Sequence, residues 1–500
     1  MGDLRTPIWN PQEFLSAERA HGFSGVGDVV SFYRATPARH KGDFAPFSLL
    51  PVIYDGSAVE RMNRISVGLS GIVGKVLERF VISSGFRSLF RLQPELLSFL
   101  DDAIESLVRV GRSPSDIADD AKAFLRFDAV LGGTSESKAI GVCEMNSNAL
   151  GGLAESYFTG KALRRFSQFD RFAESSGLAD LGAEIYDRWA SAAIARCKSA
   201  EDVWNRALSS GRKPHFSFVV LFDSGNSDAE ELAWFERFFS AEGMEFSVVD
   251  ARQLEIGSDG CLRSRNPLYG ASGIPIDFAF NYLIWSDLVR HRDDCSVFLG
   301  NVFSMKTDLF PNPLCYLIQD KSFLASIRSM REDDASQALS KADISFLKEI
   351  VPNTFLVSDE NRFVLSRHKD SYVIKPSSLY GGSGVLFGAD VIREEWEGLI
   401  SAACSAGSAE YVAQRRMRCD KIDIIPIRAE NFKSGEFPML EITKANSVIG
   451  IFSIGSDFSG AYVRAGISNV VSGADSACAC AAFAWGCDGG RLDSSGGGGL

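Results

Sequence analysis

Between residues 216 and 284 the chain alternates buried-type strands with an amphipathic helix, and few architectures accommodate such a run. The segment FSFVVLFD (216–223) is apolar on both faces apart from Ser217 and the terminal Asp223, as a buried-type strand is. DAEELAWFERFFSAEG (228–243) follows as one amphipathic helix stopped by Gly243. FSVVD (246–250) and IDFAFNYLI (276–284) are further strands. Strand, helix, strand in this order requires a parallel sheet with helices packed on it, because a tight hairpin cannot join parallel neighbours.

The flanking sequence has a different style. LQPELLSFLDDAIESLVRV (92–110) spaces its Leu and Ile at helical intervals, with acids on the other face. KAFLRFDAVLGG and AIGVCEMNSN read as the two strands of a hairpin over 122–148, and a long helical stretch is expected over 153–200. The last third alternates short strands with glycine turns, as an antiparallel α+β lobe does. The expected divisions are a mixed, mainly helical region over 1–120, then 121–205, 206–310 and 311–475, and a Gly/Ser-rich tail over 476–500 expected to be disordered.

Composition narrows the function classes. With 500 residues and 45% hydrophobic content the chain has material for a large core. A net charge of −12 argues against non-specific nucleic-acid or anionic-membrane binding. No apolar run approaches the roughly 18 residues of a membrane span, and MGDLRTPIWN lacks the features of a signal peptide. Met1-Gly2 with Thr6 fits only the loose myristoylation pattern. Ten cysteines, most of them scattered singly, suit free thiols in a reducing cytoplasm; Cys478, Cys480 and Cys487 cluster but lack a CxxC or a histidine partner. Five histidines without HExxH disfavour a histidine-metal enzyme.

Two apparent nucleotide motifs fail on inspection. GLSGIVGKV (68–76) misplaces the first P-loop glycine and has Val76 where a metal-binding hydroxyl is needed. GVGDVV (25–30) lacks the third glycine of the dinucleotide fingerprint.

A stronger signal is Tyr372-Val373-Ile374-Lys375-Pro376, followed by Ser377-Ser378-Leu379-Tyr380-Gly381-Gly382-Ser383-Gly384. An apolar strand delivers Lys375 at its end, and a loop follows whose backbone N–H groups at Gly381, Gly382, Ser383 and Gly384 can approach phosphate oxygens closely. The same residues also read as a plain strand and a flexible turn. Kinases place the glycine loop before the lysine, so the order here is not a kinase's. The strand Glu410-Tyr411-Val412-Ala413-Gln414 offers backbone groups and Gln414 to an adenine edge.

Upstream, Arg126 and Asp128 share one strand face, and Glu144 and Asn146 share a face of the partner strand. Asp128, Glu144 and Asn146 are hard oxygen donors suited to Mg²⁺, and Arg126 beside them suits a transferring phosphoryl group. Solvated strand-face acids with a surface arginine explain the same pattern.

Together these motifs resemble the circularly permuted ATP-grasp family, in particular the synthetase domain of glutathionylspermidine synthases and related peptide or amide ligases. In that group the metal-binding Asp and Glu-x-Asn precede the phosphate-loop lysine, as Asp128, Glu144 and Asn146 precede Lys375 here. Gln319-Asp320-Lys321-Ser322 resembles the family's second lysine element, and Tyr462-Val463-Arg464 its late arginine. The likeness spans about residues 120–475 and departs after Asn146: the polyamine-ligating enzymes continue Ala-Asp-Thr-Pro, and this chain continues Ser147-Asn148-Ala149-Leu150. Glu441 and Asn446 form a competing late pair, but their odd spacing puts them on opposite strand faces.

The resemblance implies a mixed α+β, circularly permuted ATP-grasp fold with an inserted parallel βαβ domain at 206–310. Residues 121–205 would carry the metal and 311–475 the nucleotide. It implies ATP held by Lys321, Lys375, Gly381–Gly384 and Gln414, Mg²⁺ held by Asp128, Glu144 and Asn146, and charge stabilisation by Arg126 and Arg464. The implied reaction joins a small-molecule carboxylate to an amine (an amino acid, peptide or polyamine) through an acylphosphate, releasing ADP and phosphate. The alternatives are a regulatory nucleotide-binding protein and a phosphotransferase on the same fold.

Overall fold

The computed structural model describes residues 10–21, 23–40, 42–134, 137–222, 227–405, 411–432, 440–472 and 477–485. The expected Met1-Gly2 signal, Glu410, Cys487 and the tail from 486 onward lie outside them.

The largest sheet has eight strands. Its order is Pro426–Ile427, Phe47–Ser48, Cys478–Cys480, Asp457–Gly466, Thr443–Ile454, Phe124–Thr134 and Ser137–Ser147, with Ile422–Ile424 also pairing with Thr443–Ile454. The Phe124–Thr134 and Ser137–Ser147 strands form the antiparallel hairpin expected over 122–148. A separate antiparallel sheet contains Thr354–Leu356, Tyr411–Arg415, Tyr372–Pro376 and Leu386–Phe387. A three-stranded sheet joins Val52–Tyr54, Ala482–Ala484 and Ala179–Asp180.

The apolar strands of 216–284 build the expected parallel sheet. His215–Val220 lies between Glu245–Asp250 and Phe278–Tyr282, parallel to both, and Asp308–Phe310 extends the sheet beyond Phe278–Tyr282. Only the short Tyr269–Gly270 edge is antiparallel. The helix expected over 228–243 is two helices, Ser227–Ala233 and Glu236–Ala241. Near the break the Trp234 ring packs on Phe158 and the Phe235 ring on Trp189, with centroids 5.0 and 4.5 Å apart.

Other expectations need correction. The helical stretch over 153–200 is interrupted: Leu153–Leu163, Ser167–Ser175 and Ile185–Ser199 are separate helices, with Gly177 at φ 60° and the Ala179–Asp180 strand between the second and third. Residues 311–475 do not form one lobe, because the strands of 443–466 pair with the Phe124–Thr134 hairpin rather than with the sheet of 354–415. The tail does not begin at 476. Cys478–Cys480 and Ala482–Ala484 are strands buried at every position, with Phe483 packed on Phe169. Both apparent nucleotide motifs of the N-terminal region are helical: 68–76 lies inside the 27-residue helix Gly56–Ile82 and 25–30 inside Ser24–Arg34. Among the described residues, no helix is long and apolar enough to cross a membrane.

Candidate active site

Period-two alternation builds the first wall of the site. Leu125, Phe127 and Ala129 are fully buried in the core, so Arg126 and Asp128 face the opposite side. On the partner strand Val142 and Met145 are buried, and Glu144 and Asn146 line the cleft. Across the pair Arg126 stands opposite Asn146 and Asp128 opposite Glu144. The register then slips, so that Ala129 faces Val142 and Cys143 is the extra, bulged residue. Sequence reading did not anticipate this bulge. Its carbonyl accepts from Lys375 Nζ at 3.3 Å and from Gln414 Nε2 at 3.2 Å, so it joins the large sheet to the four-stranded sheet that carries Lys375 and Gln414.

Arg126, Asp128 and Arg464 form one buried ion cluster. Arg126 donates from Nε and Nη2 to the two Asp128 oxygens at 2.7 and 3.0 Å, and Arg464 Nη2 donates to Asp128 Oδ2 at 2.7 Å. A further Arg126 bond, from Nη1, ends on Gly151 O at 2.6 Å. Burial alone would push Asp128 up, but the two guanidiniums outweigh it and hold the carboxyl at about 2. Burial likewise opposes the Arg126 charge, and Asp128 overcomes it. Gly450 makes room for this cluster: a Cβ there would stand 2.8 Å from Arg126 Cδ.

The two lysines arrive from opposite sides. Lys321 opens the helix Lys321–Ser329, which Asp320 caps by accepting from Ser322 N–H. Its ammonium lies 3.0 Å from Glu144 Oε1 and also donates to Leu379 O. Lys375, at the end of its strand, donates to Gln414 Oε1 at 2.7 Å. Gln414 in turn donates to Thr354 Oγ1 at 3.0 Å.

The glycine loop lies over the cleft and is pinned at several points. Gly381, Gly382 and Gly384 take φ values of 65°, 80° and 70°, which other residues rarely adopt. Ser472 Oγ donates to Gly381 O at 2.6 Å, and Gly382 packs against Val470. The Tyr380 hydroxyl donates to Asp287 at 3.0 Å, tying the loop to the parallel-sheet unit. This last contact was also missed, because it joins remote segments that share no local pattern.

Eleven of the twelve residues predicted for the site therefore line one cleft of about 1130 Å³, as do Arg415, Arg416, Arg418 and Lys421; the twelfth, Gly384, belongs to the same loop but is not part of the lining. That exceeds the roughly 300–1,000 Å³ of ordinary ligand sites and suffices for a nucleotide with a second substrate. Of the competing late pair, Asn446 lines the cleft and Glu441 does not. Asn446 is engaged through Nδ2 with Ser468 O at 2.9 Å. Among the described residues, no group of three or more His, Cys, Asp or Glu is placed to hold a metal. The donor set in the cleft is instead Glu144 with Asn146, whose Nδ2 is buried without a partner among the described residues. Because both Asp128 oxygens are engaged by arginine, that carboxylate is less open to a cation than Glu144.

No family model matches the chain, and no curated protein does. Among solved structures it is similar to a glutathione synthetase-like effector from Globodera pallida in its apo form. The two are 10% identical and superpose with a TM-score of 0.57, over 95% of this chain and 98% of the other. The likeness is one of fold: the chain is a mixed α/β protein whose architecture follows that of the glutathione synthetase-like effector over nearly its whole length.

Proposed function

We propose that the chain is a circularly permuted ATP-grasp enzyme that joins a carboxylate to an amine with release of ADP and phosphate. The observation that carries this reading is convergence. Arg126/Asp128, Glu144/Asn146, Lys321, Lys375 with its glycine loop, Gln414 and Arg464 come from remote parts of the chain and line one cleft, to which the eight-stranded sheet and the four-stranded antiparallel sheet both contribute. The glutathione synthetase-like fold supports the same class.

Lys321, Lys375 and the Gly381–Gly384 loop would hold the phosphates of ATP, with Gln414 beside the base. Mg²⁺ fits Glu144 and the Asn146 amide, because it takes one or two protein oxygens and completes its shell with phosphate and water. Bound there, it would neutralise phosphate charge. Asp128 would act first by fixing Arg126 and Arg464, and would reach the metal only by releasing one of them.

The reaction has two stages. A donor carboxylate oxygen takes the terminal phosphoryl group, and an amine then displaces phosphate from the acyl carbon. Arg126 and Arg464, aligned and already desolvated, would stabilise the negative charge in both stages without reorganising. The glycine loop, held by Tyr380 and Ser472, would exclude water that otherwise hydrolyses the acylphosphate. No nucleophilic side chain is needed, since positioning and electrostatics suffice. The acceptor is an amino acid, peptide or polyamine, and the mostly scattered cysteines suit a cytoplasmic setting.

A second reading, a nucleotide-binding regulatory protein, is favoured by one observation: Asp128 is committed to two arginines. Phosphorus NMR separates the two. The protein would be incubated with Mg-ATP and a pool of amino acids, small peptides and polyamines. ADP and phosphate formed only with the pool, and lost in Glu144→Ala, support the ligase. AMP with pyrophosphate refutes the acylphosphate mechanism, and nucleotide binding without turnover favours the regulatory reading.

A further inference from the structure

A second cavity, of about 50 Å³, adjoins the cleft and shares Glu144, Asn146, Lys321, Leu379 and Tyr380 with it. Four of its wall residues carry buried polar atoms with no hydrogen-bond partner among the described residues: Asn146 Nδ2, Trp285 Nε1, Ser286 Oγ and Gln319 Oε1. Buried polar groups are nearly always satisfied, so four orphans around one small space call for an occupant.

Two of the four are fixed in direction. Gln319 donates through Nε2 to Ser147 O, Asn148 Oδ1 and Leu283 O, which assigns its other amide atom as an acceptor. Trp285 is 6% exposed, and its ring packs on Phe99 and Tyr316 at 4.9 and 5.8 Å, so its N–H is a fixed donor. The cavity therefore offers a donor in Trp285, a donor in Asn146, an acceptor in Gln319 and a hydroxyl in Ser286 that serves as either.

Its one cation is already paired. Lys321 is paired with Glu144 at 3.0 Å. The other acid in the wall, Asp320, caps its helix by accepting from Ser322 N–H, and burial pushes its carboxyl up. An anionic head group entering here would lack a free cation, which a buried site penalises heavily, and a cationic one would leave the Trp285 and Asn146 donors unsatisfied. The volume suits about three to five heavy atoms, taking roughly 10–15 Å³ for each water-sized probe.

We propose that this cavity is a subsite for a neutral amide group, its carbonyl accepting from Trp285 and Asn146 and its N–H donating to Gln319 and Ser286. Asn146 would then present its oxygen to the metal side and its nitrogen to the amide, which places an amide-bearing substrate next to Glu144. The role as a substrate subsite rests on the ligase reading; amide binding itself does not.

The test uses the full chain, ¹⁵N-labelled at its seven tryptophans, without nucleotide. The Trp285 indole resonance is identified by its loss in Trp285→Phe. If that variant fails to fold, Ser286→Ala serves instead, and it should weaken acetamide binding by roughly threefold to tenfold, as loss of one hydrogen bond does. Acetamide, acetate and methylammonium are titrated separately. Acetamide should shift the Trp285 resonance saturably, acetate and methylammonium should not, and Gln319→Glu should transfer the response to methylammonium. An equal response to acetate or methylammonium in the unaltered protein overturns the proposal. So does the absence of any response, which would mean that the cavity holds only water. Amide binding in a protein that performs no ligation would refute the ligase reading and leave the amide site standing.

Discussion

Replacing Asp128 with Asn removes one charge and almost no volume, so it isolates what the ion cluster contributes. In the native protein that carboxylate serves Arg126 and Arg464 together; Arg126 and Asp128 are buried, and the Arg464 side chain is only 13% exposed. With Asn in its place the two guanidiniums remain desolvated and share one neutral acceptor. Breaking a buried pair from one side costs about 3–5 kcal/mol. Part of that depends on pH. The folded-state carboxyl sits at about 2 against an ordinary 3.8, a difference worth about 2 kcal/mol. Because the folded value is the lower one, this contribution is complete above the unfolded value and is lost as pH falls from about 4 toward 2. Urea denaturation followed by circular dichroism at several pH values measures it. Asp128→Asn should be less stable by at least about 3 kcal/mol at pH 7. The gap should hold constant down to about pH 5 and narrow only below about pH 4. A gap under about 1 kcal/mol at pH 7, the size of a surface pair, would refute the argument. So would one that closes between pH 7 and 5.

Three further outcomes follow from the geometry. Lys375→Ala should weaken Mg-ADP binding about tenfold or more in calorimetry, through loss of a point charge on phosphate, and unchanged affinity would remove Lys375 from the phosphate site. Tyr380→Phe removes a half-exposed bond to Asp287 worth about 0.5–1 kcal/mol, so proteolysis within residues 379–384 should quicken about twofold to fivefold with global stability unchanged. Gly450→Ala places a methyl 2.8 Å from Arg126 Cδ; ADP formation should fall at least about tenfold while the circular dichroism spectrum is retained.

The sequence reveals most where a pattern is local. Alternation in RFD and EMN identified which side chains leave the core, and the chain folds them that way. The apolar strands of 216–284 imposed a parallel sheet for the same reason. What stayed hidden depends on contacts between distant segments. The Cys143 bulge changes register by one residue without a compositional mark, yet it supplies the carbonyl that links Lys375 and Gln414 to the hairpin of Asp128 and Glu144. Tyr380 reads as an ordinary loop aromatic until Asp287 is brought beside it. The segment CACAAFAW looks featureless because its strands are buried on both faces and have no polar side to alternate with.

Those late strands also bear on how the protein is made. Phe47 pairs in parallel with Ala479, and Val52–Tyr54 with Ala482–Ala484, so early and late segments of the chain close the same layers. A ribosome releases them in order, and the early strands must wait through nearly the whole of translation for their partners. Contacts of such long sequence separation form slowly. Until they do, the edge of Asp457–Gly466 that Cys478–Cys480 will cover stays open to other chains. The pairing of Arg464 with Asp128 is subject to the same delay, so the nascent protein acquires its charge cluster among its last events and depends on protection from aggregation until then.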